Sequence, residues 1–134
     1  MAFDVKVNTF PVPDPGGDNK QLFVMRAPDN GKGGGIRIID AYAVNGAAAN
    51  AGTSFSLALH KYSNAGTPAV NGTIAAAIGG TAATVWASGV PQQFTVNDSY
   101  GYLDAGEWLV VDYQEDTAGN PTNAFVTVHY LVGN

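Results

Sequence analysis

The chain has 134 residues, of which 46% are hydrophobic and only 13% are charged, so a single domain with a substantial core is expected. Eleven acidic and six basic residues leave a formal net charge of −5. No basic patch is available to neutralise a row of phosphates, which argues against nucleic-acid binding. The absence of cysteine excludes disulfides and thiolate metal sites.

The charge is divided unevenly along the chain. Residues 1–61 carry six bases and five acids, a net of +1, whereas residues 62–134 carry six acids and no base, a net of −6. Two interpretations stay open: a solvated acidic surface, or an acidic face that docks on a basic partner or on the basic part of a neighbouring copy. The N-terminus lacks the apolar segment of a signal peptide, and no apolar run could span a bilayer, so we expect synthesis in a cytoplasm and no membrane partner.

The N-terminal segment is predicted to be a strand followed by an arm. Residues 3–10 alternate, with Phe3, Val5 and Val7 on one face and polar residues on the other. Three prolines then follow at alternate positions, which favours an extended path and removes backbone donors from any sheet. They are Pro11, Pro13 and Pro15. We assign residues 1–20 to this strand and Pro-rich arm, and residues 21–134 to one β-sandwich domain. The arm is either a surface connector or a stiff segment that lies across a neighbouring subunit.

Residues 22–26 form a predicted strand, and a glycine-rich stretch, 28–35, comes next. The stretch lacks the spacing of a phosphate-binding loop and continues into a strand instead of a helix, so it is interpreted as a flexible loop. Asn30 and Lys32 lie in it and are candidate partner contacts. Residues 36–44 are nearly continuously apolar, which is typical of a central strand or of one buried on both faces.

The middle of the chain contains the clearest alternation and the least clear segment. Residues 53–62 place Phe55, Leu57 and Leu59 inward in a strand. Residues 73–78 favour a short helical turn that the two following glycines would end. Residues 83–87 and 92–96 are predicted strands.

The last third has the pattern of paired antiparallel strands. Residues 107–113 and 124–132 are rich in β-branched and aromatic residues, and the polar stretch 114–123 between them is typical of a turn. The whole chain then holds seven to nine strands and no helix of ordinary length. This pattern predicts an all-β fold, namely a two-sheet antiparallel β-sandwich or jelly roll with an extended N-terminal arm.

The sequence contains no pattern that identifies a catalytic or metal site. His60 and His129 are interpreted as ordinary strand residues, because neither has the spacing of a zinc or hydrolase motif. The carboxylates at 112, 115 and 116 are either calcium ligands or a solvated hairpin tip. Asp104 and Glu107 are placed in a turn and are not assigned a catalytic role. We therefore predict no cofactor and no enzymatic activity.

The aromatic residues have two interpretations: core or subunit packing, or a flat platform that stacks against sugar rings. In residues 107–113 both strand faces are partly apolar, so one tryptophan is expected in the core and the other against a partner. Trp86 and Trp108 are both retained as candidate partner contacts.

Four segments carry a resemblance to a known group. They are residues 35–44 (GIRIIDAYAV), 89–96 (GVPQQFTV), 103–113 (LDAGEWLVVDY) and 125–132 (FVTVHYLV). In this short, acidic, cysteine-free setting they resemble the small decoration (cement) proteins of tailed-phage capsids. The resemblance implies a homo-oligomer, most often a trimer, that is made in the host cytoplasm. It would bind the major capsid protein on the virion surface and stabilise the shell. A carbohydrate-binding module and a phage tail or fibre component are the alternatives.

Overall fold

The computed structural model describes residues 4–14, 16, 19–29, 35–46, 54–80, 86–115 and 123–133. All regular structure within these ranges is β-structure, as predicted. The strands are β1 (Lys6–Val12), β2 (Asn19–Arg26), β3 (Gly35–Val44), β4 (Phe55–Tyr62), β5 (Pro68–Gly80), β6 (Gln92–Gln93), β7 (Tyr102–Asp104), β8 (Trp108–Glu115) and β9 (Ala124–Val132).

The strands form two antiparallel sheets. Sheet A has the order β1-β9-β3-β6, with β7 also paired to β3, and sheet B has the order β2-β8-β4-β5. Every strand pairing within the two sheets is antiparallel. The two-sheet β-sandwich predicted from the alternating strands is therefore confirmed.

The core lies between the two sheets and is built by strand alternation. Phe55, Leu57 and Leu59 of β4 point inward and are fully buried, as predicted. They meet residues of sheet A that also alternate inward, among them Ile38 of β3 and Val126 and Val128 of β9.

Two predictions for the middle of the chain are wrong. Residues 73–78 lie within β5, where Ile74 and Ala75 are buried, and they do not form a helical turn. The β4–β5 pairing contains several register shifts, and these disturb the period of two that marks a strand in sequence. The strand predicted at 92–96 is reduced to β6, with Val96 making a single bridge to Ala75. Of the strand predicted at 83–87, residues 83–85 lie outside the described residues, and residues 86–87 are in no strand.

The N-terminal strand belongs to sheet A, where β1 pairs along its whole length with β9. Pro11 lies within β1, and a proline is tolerated there because β1 is an edge strand. Asn8, from the polar side of the predicted alternation, points inward, and its Nδ2 donates to Tyr130 Oη at 3.0 Å and to Met25 Sδ at 3.3 Å. The apolar Val7 consequently points outward. Of the predicted arm, residues 6–12 therefore belong to sheet A.

One side of the sandwich is closed where β5 meets the segment around β6. The side-chain amide of Gln92 pairs with the backbone of Gly79: Gly79 N donates to Gln92 Oε1 at 2.9 Å, and Gln92 Nε2 donates to Gly79 O at 3.3 Å. Asn97 N donates to Ile74 O at 2.8 Å nearby. These bonds satisfy part of the β5 edge, which would otherwise be open to another strand.

Replacing Gly79 by alanine should destabilise the fold strongly. Gly79 has φ 134°, and a Cβ there would overlap the carbonyl oxygen of Phe55 and lie 2.9 Å from Ser56 Cα. We expect Gly79→Ala to lower the free energy of unfolding by about 3 kcal/mol or more in urea denaturation. Gly66→Ala is the matched control, because Gly66 has φ +81° but open space around it, and it should cost only about 1 kcal/mol. Equal losses in the two variants would show that the close approach at Gly79 does not matter.

Tyr113 should make the fold sensitive to alkaline pH. Burial raises the pKa of the Tyr113 phenol above 10.0, while the positive charge of Lys20 opposes that rise. The native state therefore holds this proton more tightly than the unfolded chain, so the associated stability is present at neutral pH and is lost as the pH rises through the native pKa. From about pH 10 upward the wild type should lose unfolding free energy more steeply than Tyr113→Phe. Denaturant titrations measure the free energy of unfolding of both proteins at each pH. The same pH dependence in the wild type and in Tyr113→Phe would contradict this prediction.

Candidate interaction surfaces

The structure separates the candidate contact residues into three groups. Pro11 and Pro13 are exposed, in β1 and just after it. Pro15, Asn30 and Lys32 lie outside the described residues. The two tryptophans occupy different environments, and these decide what each one can contact.

Trp86 is a core residue. Its side chain is 2% exposed and stacks on Phe55, with ring centroids 6.0 Å apart and an interplanar angle of 17°. The indole Nε1–H donates to Val90 O at 2.7 Å, so the polar end of the ring is also satisfied. Trp86 therefore has no free ring face for a partner or a sugar in this structure, and its assignment as a contact residue is corrected.

Trp108 belongs to a cluster on the outer face of sheet B. The aromatic cluster consists of Phe23, Tyr62 and Trp108, which come from the three adjacent strands β2, β4 and β8. The Phe23 ring is perpendicular to both neighbours at 80°, with centroids 5.2 Å from Tyr62 and 5.6 Å from Trp108. Phe23 is 41% exposed and is the part of the cluster most open to solvent.

Val110 lies on the outer face of β8, directly opposite Phe23 of the aromatic cluster and His60, and it is nevertheless fully buried. Its neighbours Leu109 and Val111 belong to the core cluster between the sheets, and Val110 does not. Phe23 was not among the sequence candidates. The apolar run at 22–25 could have identified it. Successive residues of a strand point to opposite faces, so part of an apolar run must lie outside the core.

Arg26 adds a fixed positive charge to the aromatic cluster. Its guanidinium carbon lies 5.9 Å from the centroid of the Trp108 ring, within cation–π range. Nε donates to Gly106 O at 3.2 Å, and Nη2 donates to Asn64 Oδ1. Tryptophan, tyrosine and arginine are the residues most enriched at the energetic centres of protein interfaces, so this composition suits a protein partner.

The geometry of the aromatic cluster does not suit a sugar platform. Sugar stacking needs an open, flat ring face, but Phe23 meets Trp108 edge-on and Arg26 lies over the indole. With Trp86 in the core, the two tryptophans cannot form a common platform.

Sheet A presents a second surface, which we call the sheet A outer face. Its members form three cross-strand rows: Val7, His129 and Asp40; Thr9, Thr127 and Tyr42; and Pro11, Phe125 and Val44. Val7 is 54% exposed, Phe125 39% and Tyr42 37%. An antiparallel sheet with a solvated face normally alternates apolar inside with polar outside. In sheet A, large apolar side chains point both into the core and out toward solvent.

The titratable groups are dispersed over the molecule. His60 Nε2 lies 3.7 Å from Asp112 Oδ2, and Ser56 lines the same shallow cleft of about 320 Å³. Ser56 and His60 are four residues apart along β4, about 13 Å, so the serine is out of hydrogen-bonding reach of the imidazole. Asp104 and Glu107 form the predicted turn, in which Asp104 N donates to Glu107 Oε2 at 2.9 Å. Within the described ranges no three histidines or carboxylates come together in a way that could hold a metal ion.

Comparison with known proteins yields only distant structural similarity. The chain matches no protein-family model and no curated protein sequence. Among solved structures, it is similar to chains in the structures of the Gx and Gt strains of infectious bursal disease virus, at 13% and 12% sequence identity and a TM-score of 0.36 in both cases. The alignments cover 97% and 96% of this chain but only 32% and 30% of those chains. A similarity at this level carries no information about function. No helix in the described part of the chain is long and apolar enough to cross a membrane.

Because the two tryptophans have different environments, replacing each by alanine should lower the free energy of unfolding by a different amount. Trp86→Ala should lower the free energy of unfolding by about 3–5 kcal/mol, because it empties a buried site. Trp108→Ala should cost only about 1–2 kcal/mol, because its ring is half-exposed and packs on one side. Urea denaturation followed by far-ultraviolet circular dichroism measures both. A larger loss for Trp108→Ala would contradict the assignment of Trp86 to the core.

Proposed function

We propose that this chain is a non-enzymatic structural protein of a virus particle, a decoration protein that binds the major capsid protein on the outside of the shell and stabilises it. The observation that carries the proposal is that both sheets of the sandwich present large apolar side chains on their outer faces. Phe23 and the half-exposed Trp108 do so on sheet B, and Val7, Tyr42 and Phe125 do so on sheet A.

An apolar surface on both sides of a small sandwich is typical of a protein that is covered on both sides. Soluble monomers rarely expose large contiguous apolar patches, and such patches mark interaction sites. A protein layer that lies between other proteins, as in a reinforced shell, needs apolar contact surfaces on both of its sides. The low share of charged residues, 13%, fits the same use, because few charges must lose water when the faces are buried.

The aromatic cluster is the best candidate for the contact with the shell protein. It combines three aromatic rings with a neighbouring arginine and a buried valine, which is the make-up of an interface centre. Binding through one such cluster is of moderate strength, since a standard interface needs roughly 800 Å² from each partner. Many copies on a regular shell would turn moderate individual contacts into firm reinforcement when the copies are also linked to one another.

The test is co-sedimentation of the purified chain with shells assembled from the major capsid protein encoded in the same genome. The wild-type chain should sediment with the shells and raise the temperature at which they disassemble. Phe23→Ser should weaken retention about tenfold or more, because it removes the most exposed ring of the aromatic cluster.

Tyr100→Ser is the matched control. Tyr100 is 38% exposed, close to the 41% of Phe23, but it lies in the turn before β7 and outside both outer faces. This variant should bind shells as the wild type does. A wild-type chain that stays in the supernatant at all concentrations would refute the decoration role. Equal losses for the two variants would refute the role of the aromatic cluster.

A further inference from the structure

We propose that the sheet A outer face is covered by the same face of a second copy of this chain, so that the protein forms a face-to-face dimer through sheet A. The proposal stands on the side chains and charges of this face and does not depend on binding to a shell.

The first argument is the composition of the face. Its central row pairs Thr9 with Thr127, whose hydroxyl oxygens lie 3.0 Å apart and share one hydrogen bond, and adds Tyr42 from β3. The flanking row consists of Pro11, Phe125 and Val44. Self-paired hydroxyls among apolar groups leave few donors that demand water, so the face can be desolvated at low cost.

The second argument is charge. The protein is acidic, with a net charge of −5, so two copies repel one another, and the repulsion is weakest where they meet at a surface with little charge of its own. The sheet A outer face has that property. Asp40 is the one acid in its three rows, and the carboxylate accepts hydrogen bonds from Gln93 Nε2 at 2.6 Å and from Ala41 N at 2.9 Å. Arg37, exposed on the same strand, provides a nearby positive charge.

Charge also selects a second copy over a foreign partner. An acidic protein that docks on a basic partner is expected to present its carboxylates at the contact. Apart from Asp40, the described carboxylates are found elsewhere: Asp112 lies on the outer face of sheet B, and the others lie in loops, turns and near strand ends. They are Asp4, Asp14, Asp29, Asp98, Asp104, Glu107 and Glu115.

The third argument is the size and symmetry of the face. Three paired strands with about seven residues each cover roughly 15 by 24 Å, which is a few hundred square ångströms per copy. That area is below the range of obligate dimers, so the contact should be weak and concentration-dependent. Identical faces that pack on one another form an isologous contact, which closes at two copies. The trimer that the resemblance implies would need a different contact.

The experiment is sedimentation velocity of the purified chain from low-micromolar to sub-millimolar concentration, without shells. The wild type should convert from monomer to dimer across this range. Phe125→Ser should shift the midpoint to at least about tenfold higher concentration. Phe23→Ser is the matched control, since Phe23 and Phe125 are similarly exposed strand phenylalanines on opposite outer faces, and it should leave the midpoint unchanged.

Folding of each variant is checked by circular dichroism, and Val7→Ser provides a second probe of the face in case Phe125→Ser does not fold. A wild type that stays monomeric, a stable trimer, or a dimer weakened by Phe23→Ser and not by Phe125→Ser or Val7→Ser would overturn the proposal. Binding of a purely monomeric wild type to shells would overturn the dimer and leave the decoration role standing. A wild type that dimerises but does not bind shells would overturn the decoration role and leave the dimer standing.

Discussion

The rest of this structure depends on two central strands that are apolar on both faces. In β8, Leu109 and Val111 fill the core while Val110, between them, is buried on the other side. In β9, Val126 and Val128 point inward, and Phe125 points outward at 39% exposure. A strand of this kind needs cover on both faces, and the sandwich supplies only one. Sheet B partly covers its outer face with its own aromatic rings, whereas sheet A leaves much of its outer face in solvent.

The ends of the sandwich hold these faces in place through polar contacts between the sheets. Lys61 of β4 reaches across from sheet B, where its Nζ donates to Tyr102 O at 3.0 Å and lies 3.9 Å from Glu107 Oε2. The same ammonium lies 5.2 Å from the centroid of the Tyr102 ring. On one long side, the Gln92 amide satisfies the backbone of Gly79. Among the described strands, β1 and β2 are the edge strands on the opposite side.

The two outer faces have different chemistry and therefore suit different partners. The aromatic cluster of sheet B is compact and lies beside the fixed cation of Arg26, which favours one specific protein site. The sheet A outer face is broader and nearly uncharged, which favours contact between like surfaces. In a dimer through sheet A the two sheet B faces point away from each other, so one copy would attach the pair to a shell. Neither face supplies a nucleophile paired with a base or a group of metal ligands, among the residues that the structure describes.

The sequence alone determined the all-β class, the two-sheet sandwich and the inward set of β4, because these follow from alternation, turn composition and length. It also indicated that residues 107–113 are partly apolar on both faces. Only the tertiary structure decided which tryptophan is buried, because Trp86 lies outside any strand and its burial depends on Phe55 and Val90. The same holds for the direction of Val7 and Asn8, since a period of two defines two faces but not which one meets the other sheet. Residues 73–78 were misassigned because strand irregularities hide the period that sequence reasoning needs.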